Sequence, residues 1–240
     1  MRPNDPRNHV VTVNARLAQG QAQGLLNAAL RRRQFGRTAL VSSFGAEAAV
    51  LLHMVAQIAP DTPVLFIDTR LLFEETLRYQ QELSAKLGLS DVRTLRSDAA
   101  KLTENDPGAT LHQIDPDGCC ALRKTIPLQS ALNEFDAWIS GRKRFQGGAR
   151  SDLNLVEIEP HSSRIKLNPL ANWTSDDIRS YARAHDLPPH PLVARGYGSI
   201  GCAPCTVPAE GRQGRWRGQD KTECGIHFEN GRTVRKGATA

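Results

Sequence analysis

The sequence has few aromatic residues and no apolar run long enough to cross a membrane. Phe, Trp and Tyr make up 5% of its 240 residues. The longest apolar stretch, AEAAVLLHMVAQIA, is too short and too polar to span a bilayer. The first ten residues, MRPNDPRNHV, carry charge and two prolines with no apolar stretch behind them, unlike a signal peptide. We therefore expect a soluble, cytoplasmic protein without a membrane partner.

The net charge of +6 is not concentrated in any basic repeat or helical stripe of Lys and Arg. The few aromatic residues also offer little surface for stacking on bases. We therefore expect no nucleic-acid partner. The sequence contains no internal repeat, and a chain of this length can bury the core of one α/β domain without crosslinks.

Buried strands alternate with helices over most of the chain. Strands are predicted at 38–44, 63–69, 92–97 and 136–140, and helices at 15–33, 46–58 and 73–89. This alternation favours right-handed βαβ units and a parallel sheet covered on both faces. Two strand-like segments, LVEIEP and RIKLNPL, follow, and Thr174 with Asp177 predicts a capped helix after them.

We divide the chain into three segments. Residues 1–14 are expected to be a flexible N-terminus, and residues 15–206 an α/β domain. Residues 207–240 have no sustained periodicity and little apolar content, so they are predicted to form a mobile tail.

A candidate anion-binding loop follows the first predicted strand. Ser42, Ser43, Phe44 and Gly45 lead directly into a helix, where backbone N–H groups, hydroxyls and a glycine suit a phosphate. The Gly-Lys-Ser/Thr ending of a Walker A loop is absent, and a purely structural turn is an equal alternative. Asp68, at the end of the second strand, is predicted either to contact a ribose or to cap a turn.

The five cysteines are the most specific feature. Cys202 and Cys205 form a CxxC pair, whereas Cys119 and Cys120 are adjacent. Adjacent cysteines are unusual zinc ligands, but they can reach two different irons of a cubane, so the four favour an iron–sulfur cluster. Zinc, or a buried pair beside an independent redox pair, are the alternatives.

Two further residues bear on this chemistry. Lys124 follows the adjacent pair by four and five residues, so on a helix it would lie over the same face and stabilise an anionic cluster. Cys224 lies between Lys221 and His227, cations that would favour its nucleophilic thiolate, although Glu223 opposes them. An exposed lysine and an unreactive surface cysteine are the bland alternatives.

With these residues in view, the chain resembles the assimilatory sulfonucleotide reductases, in particular the iron–sulfur adenylyl-sulfate (APS) reductases. The resemblance covers about residues 38–229. It is carried by SSFGAEAAVLLH, PVLFIDT, CCALRK with GCAPC, and ECGIH, all in the family's order. It implies an adenine-nucleotide α-hydrolase-like (PP-loop) fold and a [4Fe–4S] cluster held by the two cysteine pairs.

The resemblance also implies the reaction. The nucleophile at Cys224 attacks the sulfate sulfur of APS, expels AMP and leaves a cysteine S-sulfonate, from which thioredoxin or a similar dithiol protein releases sulfite. Arg212, Arg215 and His227 would close over the substrate, and Lys124 would lie between cluster and sulfate. Self-association is a family expectation.

One segment departs from the family pattern. The loop after the fourth strand usually reads Arg-Arg-Asp-Gln, whereas here it is SGRKRFQGGARSDL, with Phe145 at the acidic position. Arg142 and Arg144 are expected to line the anionic end of the substrate. Reductases of the 3′-phosphorylated substrate, PAPS, usually lack the cysteine pairs, which favours APS, although some cluster-bearing members accept both.

Two other functions compete with this interpretation. A PP-loop thiolation enzyme would need a Ser-Gly-Gly-x-Asp-Ser loop, and SSFGAE lacks the Asp and the second Gly. A non-catalytic cysteine-ligated metal protein that binds nucleic acid would contain zinc and leave Cys224 without a role.

Overall fold

The computed structural model describes residues 22–160, 162–219, 221–223 and 226. Its strands are β1 (Thr38–Ser42), β2 (Val64–Ile67), β3 (Val92–Leu95), β4 (Ala137–Ile139), β5 (Val156–Ile158) and β6 (Ile165–Leu167). Its α-helices are α1 (Ala22–Leu26), α2 (Ala48–Ile58), α3 (Glu74–Leu87), α4 (Ala99–Asn105), α5 (Leu111–Ile114), α6 (Pro116–Cys120), α7 (Ile126–Leu132) and α8 (Ser175–Ala184). One π-helical segment, Asn27–Arg31, continues α1, and another, Ala121–Thr125, joins α6 to α7.

The strands form one sheet in the order β3-β2-β1-β4-β6-β5. All pairs are parallel except β5 with β6, which is antiparallel at the edge. Helices that connect the parallel strands pack against the sheet: α2 and α3 in one apolar cluster and α7 in another. The predicted α/β fold with a parallel sheet is confirmed.

The two faces of the sheet bury separate apolar clusters because side chains alternate along each strand. In β1, Leu40 belongs to the larger cluster, which includes α2. Its neighbours Ala39 and Val41 belong to the smaller cluster, together with Trp138. All five residues of β1 are buried, which is typical of a central parallel strand.

Most element predictions are confirmed, with strands a few residues shorter than expected. Helix α8 begins with the predicted capping box, in which Thr174 Oγ1 accepts from Asp177 N at 3.1 Å. Helix α3, predicted over 73–89, ends at the C-cap Gly88, which adopts φ +66°. The predicted helix at 15–33 is described from Ala22 onward, and residues 1–21 lie outside the described part.

The segment that begins the predicted tail packs onto the domain. Trp216 is 3% exposed, and its backbone N–H donates to Cys205 O at 3.0 Å. Val207 N donates to Gly214 O at 2.9 Å, and an antiparallel bridge joins Thr206 to Arg215. The boundary drawn between residues 206 and 207 is therefore not marked by a break in packing, and the mobility of the tail stays a prediction.

None of the helices in the described part of the chain is long and apolar enough to cross a membrane.

Candidate functional site

A cavity of about 200 Å³ opens where β1 and β4 end. These two strands are adjacent and parallel, and the chain proceeds from β1 to β2 on one side and reaches β4 on the other. Such a switch point, at the carboxyl ends of the strands, is where doubly wound folds bind nucleotides. The predicted residues that line the cavity are Ser42, Ser43, Gly45, Lys124, Arg142, Arg212 and Arg215.

The first wall of the cavity is the loop from Ser42 to Glu47, which we call the β1 loop. Ser42 Oγ accepts from Phe44 N at 3.2 Å, and Ala48 N donates to Gly45 O at 3.0 Å as α2 begins. A Cβ on Gly45 would lie 3.3 Å from Ile200 O, so this position has little room for a side chain. Ser43 is exposed and lines the cavity. The loop thus offers a hydroxyl and a helix N-terminus to an anion.

Phe44 explains how the β1 loop keeps its shape. Its φ of +49° is unfavourable for a bulky residue and costs about 1–3 kcal/mol. The ring is fully buried and meets Phe66 edge-on, with centroids 5.3 Å apart. Burial of the aromatic ring offsets the backbone strain.

The second wall is the loop from Ser140 to Arg150, which we call the β4 loop. Arg142 is buried and donates from Nη2 to Glu157 Oε2 at 2.5 Å. Lys143 is 3% exposed, and its Nζ lies 2.7 Å from Glu47 Oε2. Burial lowers the pKa of Lys143, and the Glu47 carboxylate opposes that shift. This second pair joins the two walls.

Arg150 connects the β4 loop to the segment that precedes Cys224. Its Nε and Nη2 both donate to the Glu223 carboxylate, the latter at 2.8 Å, and its Nη1 donates to Gln146. Arg212 Nη2 lies 3.3 Å from Glu223 Oε2 and donates to Thr222 O at 2.8 Å. Glu223 is therefore held by two arginines that line the cavity.

Arg215 closes the cavity on the side of the CxxC loop. Its guanidinium lies 4.4 Å from the centre of the Trp216 ring. A Cβ on Gly201 would meet the guanidinium at 2.3 Å, so only glycine permits this approach. The buried Nε of Arg215 has no hydrogen-bond partner among the described residues, which leaves a donor at the cavity.

The two cysteine pairs lie beside this cavity. Cys119, Cys120 and Cys202 are buried, and Cys205 is half-buried. Burial raises the pKa of the Cys119 thiol to about 11; Arg123 lowers it, and the nearby Cys202 and Cys205 raise it further. Cys119 of the adjacent pair therefore lies close enough to both cysteines of the CxxC pair to interact with their charges.

The segment after β2 holds the two pairs together. Thr69 Oγ1 lies 3.3 Å from Cys202 Sγ, and Ala203 N donates to Leu71 O at 2.7 Å. Arg123 donates to Thr69 O at 2.9 Å and forms a buried ion pair with Asp106 at 2.6 Å. Within the described residues, no group of three or more His, Cys, Asp and Glu side chains has the geometry to hold a metal ion.

Lys124 lies in the π-helical turn that follows the adjacent cysteines. Ile126 N donates to Ala121 O, five residues earlier. Pro127 explains the wider turn, because it has no N–H and its ring would clash with the carbonyl of Arg123 in an α-helix. The sequence prediction assumed an α-helix here and missed this turn, although Lys124 does line the cavity as expected.

Three predicted substrate-binding residues are not among those lining the cavity. The Phe44 side chain is in the core. Asp68 accepts from Arg70 N at 2.9 Å and pairs with Arg96 at 2.9 Å, so it caps a turn, the second of its two predicted roles. Arg144 is exposed and donates to Leu153 O at 2.7 Å. Cys224 and His227 lie outside the described residues.

Among the cavity residues that sequence reasoning missed are Glu47, Lys143, Gln146 and Arg150. The sequence did show Glu47 beside the candidate anion loop and basic residues in the β4 loop. Their partners are remote in sequence, however, and the pairing of Arg150 with Glu223 spans 73 residues. No local pattern signals such a contact.

The chain matches the family model described as phosphoadenosine phosphosulfate reductase domain over residues 37–208. The chain belongs to this family. Among its relatives, adenosine 5′-phosphosulfate reductase from Chelativorans sp. (strain BNC1) is 44% identical over 95% of this chain and 94% of the relative. The enzyme of that name from Mesorhizobium japonicum is 50% identical over 79% of this chain and 76% of the relative. The predicted family, and its enzyme class of sulfur-group oxidoreductase, are confirmed.

A solved structure supports the same assignment. Phosphoadenylyl-sulfate (PAPS) reductase from Candida auris, in a phosphate complex, superposes with a TM-score of 0.71 at 25% identity. The match covers 83% of this chain and 97% of that one. The PP-loop type of nucleotide-binding fold predicted from the sequence is confirmed.

Proposed function

We propose that the protein reduces adenylyl sulfate to sulfite and AMP, with thioredoxin or a similar dithiol protein as reductant. The single observation that carries the proposal is the joining of three features at one cavity. An anion loop forms one wall, Lys124 and the cysteine pairs adjoin it, and Glu223, next to Cys224 in sequence, is bound to cavity arginines. The names of the relatives support APS as the substrate.

The cavity suits a nucleotide with two anionic groups. The β1 loop would bind the nucleotide through backbone N–H groups and Ser43. Arg215, with its buried unpaired Nε, and Lys124 would neutralise the phosphate and sulfate. The same cations would stabilise the charge that develops on the bridging oxygen as AMP leaves.

The proposed chemistry proceeds in two stages. The Cys224 thiolate forms a bond to the sulfate sulfur while the bond from that sulfur to the AMP oxygen breaks, and the oxygen keeps the electron pair. One thiolate of the reductant then attacks Cys224 Sγ and releases sulfite as a mixed disulfide forms. The second thiol resolves that disulfide, so the dithiol supplies the two electrons and Cys224 returns to a thiol.

The four paired cysteines are proposed to hold a [4Fe–4S] cluster. The donor set fits, because three of the thiols are buried and Cys119 interacts with both cysteines of the CxxC pair. Adjacent cysteines such as Cys119 and Cys120 are unusual zinc ligands but can reach two irons of one cluster, which favours a cluster over zinc. When bound, such a cluster supplies a local charge beside the sulfate site.

The decisive experiment measures the reaction and the intermediate together. Protein purified without oxygen is mixed with APS, and the mass of the intact chain is recorded before and after reduced thioredoxin is added. We expect a sulfonate on the Cys224 peptide, released as sulfite by thioredoxin, together with four irons and four sulfides per chain.

Two results would count against the proposal. Cys224→Ser should retain the iron and lose the sulfonate and all sulfite release, so an active Cys224→Ser protein would contradict the mechanism. A colourless protein with one bound zinc would contradict the cluster. Location in the cytoplasm, self-association and a contact of His227 with substrate stay predictions.

PAPS is the second candidate substrate, favoured by the likeness to the Candida auris PAPS reductase. The extra phosphate would need further cations, and the cations of the β4 loop already have carboxylate partners: Arg142 pairs with Glu157, Lys143 with Glu47 and Arg150 with Glu223. APS is therefore preferred. A kcat/KM in favour of PAPS, measured side by side with thioredoxin, would reverse the order.

A further inference from the structure

Lys221, Glu223 and Ile226, three of the last described residues, each contact the rest of the molecule. Lys221 is 7% exposed, forms an ion pair with Asp117 and lies 5.8 Å from the Trp216 ring centre. Glu223 is also 7% exposed and binds Arg150 and Arg212. Ile226 lines the cavity and packs against the smaller apolar cluster of the sheet.

The Glu223 contact is the most specific of the three. Arg150 meets the carboxylate with Nε and Nη2, so the two planar groups fit as a fork on a fork. Both side chains are 9% exposed, which means that solvent screens this pair weakly. A second cation, Arg212, binds the same carboxylate and the backbone carbonyl just before it.

The chemistry of the proposed nucleophile gives no reason for this carboxylate. A negative charge next to Cys224 disfavours the thiolate, and its pairing with Arg150 occupies a cation that lines the cavity. The arginines reduce the first cost because they neutralise Glu223, and the second cost is accounted for if the carboxylate fixes the chain. The ion pairs therefore account for an acid at a position where catalysis alone would favour a neutral or basic residue.

We propose that Glu223 is a positioning residue, whose ion pairs with Arg150 and Arg212 dock the Cys224-bearing segment at the cavity. This inference rests on the proposed function for its catalytic consequence. Glu223 acts through the chain and does not touch the substrate. Its loss should impair transfer to Cys224 while the nucleotide still binds.

The test compares Glu223→Gln with a matched control in the full-length protein. Glu210→Gln removes the same charge from an exposed residue of the same segment. Two measurements are made on each: the single-turnover rate of Cys224 sulfonate formation with APS, and the limiting rate of Cys224 alkylation by iodoacetamide at alkaline pH, followed on its peptide by mass spectrometry. At that limit the thiol is fully ionised in every variant, so the alkylation rate reports access to Cys224 and not its thiolate fraction. AMP affinity is measured in parallel.

We expect Glu223→Gln to alkylate at Cys224 about tenfold faster and to form the sulfonate about tenfold more slowly, since a charged hydrogen-bonded pair is lost. AMP affinity should be unchanged or higher, because Arg150 loses its competing anion. Glu210→Gln should match the wild type in all three. Glu223→Asp, which keeps the charge on a shorter side chain, should recover part of both rates, a result that a general folding defect would not give.

Wild-type rates of alkylation and sulfonate formation in Glu223→Gln would overturn the proposal. So would faster alkylation without any loss of sulfonate formation, or an equal loss in Glu223→Asp. If the wild type itself forms no sulfonate, the proposed function fails, and the alkylation rates still decide whether Glu223 docks this segment.

Discussion

The two walls of the cavity are built on different principles. The β1 loop is held by backbone hydrogen bonds, one serine hydroxyl and the buried ring of Phe44. The β4 loop is held by ion pairs to carboxylates from β5, from the β1 loop and from the segment before Cys224. A wall held by packing keeps its shape through buried contacts, whereas a wall of paired charges keeps its shape only while each cation has its carboxylate partner. The first fixes one segment of the chain locally, and the second ties together segments that are remote in sequence.

The dependence of the β1 loop on packing can be tested by removing its buried aromatic ring. Phe44→Ala deletes a fully buried ring, and we expect a loss of about 3–5 kcal/mol in the free energy of unfolding. The measurement is chemical denaturation. The control is Phe145→Ala in the β4 loop, an exposed ring whose loss should cost far less. Equal losses would show that the β1 loop does not depend on its aromatic anchor.

A second test uses the charge of Lys166, a residue of β6 that interacts with Arg142 of the β4 loop. Lys166 is 7% exposed, and its Nζ lies 4.6 Å from the centre of the Trp138 ring. Burial, and then the nearby Arg142, lower the pKa of Lys166 to about 7. Because the unfolded chain binds this proton more tightly, wild-type stability should rise between about pH 7 and the ordinary lysine value of 10.5.

Subtracting a Lys166→Met variant isolates this effect from other groups that titrate at alkaline pH. The difference in free energy of unfolding between wild type and variant should change by up to about 1.4 kcal/mol per pH unit in that range. If this difference in the free energy of unfolding does not change with pH, Lys166 keeps its charge in the folded protein over this range.

The last test concerns Arg144, which was predicted to line the anionic end of the substrate and is not among the residues that line the cavity. Arg144 is exposed and turned to the Leu153 carbonyl, so Arg144→Ala should change stability by less than about 1 kcal/mol. AMP affinity, measured by calorimetry, should stay at the wild-type level. A marked loss of affinity would return Arg144 to the cavity and remove the distinction between paired and exposed cations of the β4 loop.

The same contrast separates what the sequence could predict from what it could not. Strands and the β1 loop follow from buried apolar runs and from a glycine before a helix, which are local signals. The β4 loop contains two short 3-10 turns separated by Gly147, whose φ is +68°. The chain changes direction between these two turns, and Arg150, not Arg144, lines the cavity. No periodic pattern in the sequence predicts this.

The cysteines show a similar division. Their spacing and family order predicted that the two pairs would meet, and Cys119 does interact with both residues of the CxxC loop. The residues around them were not predicted, because Thr69, which contacts Cys202, and Asp106, which pairs with Arg123, come from other parts of the chain. The π-helical turn was also missed, although Pro127 was visible, because proline within a helix more often predicts a break or a kink.

The π-helical turn between α6 and α7 sets the rotational phase of the adjacent cysteines relative to the rest of their helix. Each residue of an α-helix advances the side chain by about 100° around the axis. If the same residues of Ala121–Thr125 were wound as a regular α-helix, the residue that the wide turn absorbs would turn both sulfurs by roughly that angle relative to α7, which packs on the sheet through Leu128 and Leu132. The direction in which the adjacent cysteines face thus depends on the width of this one turn.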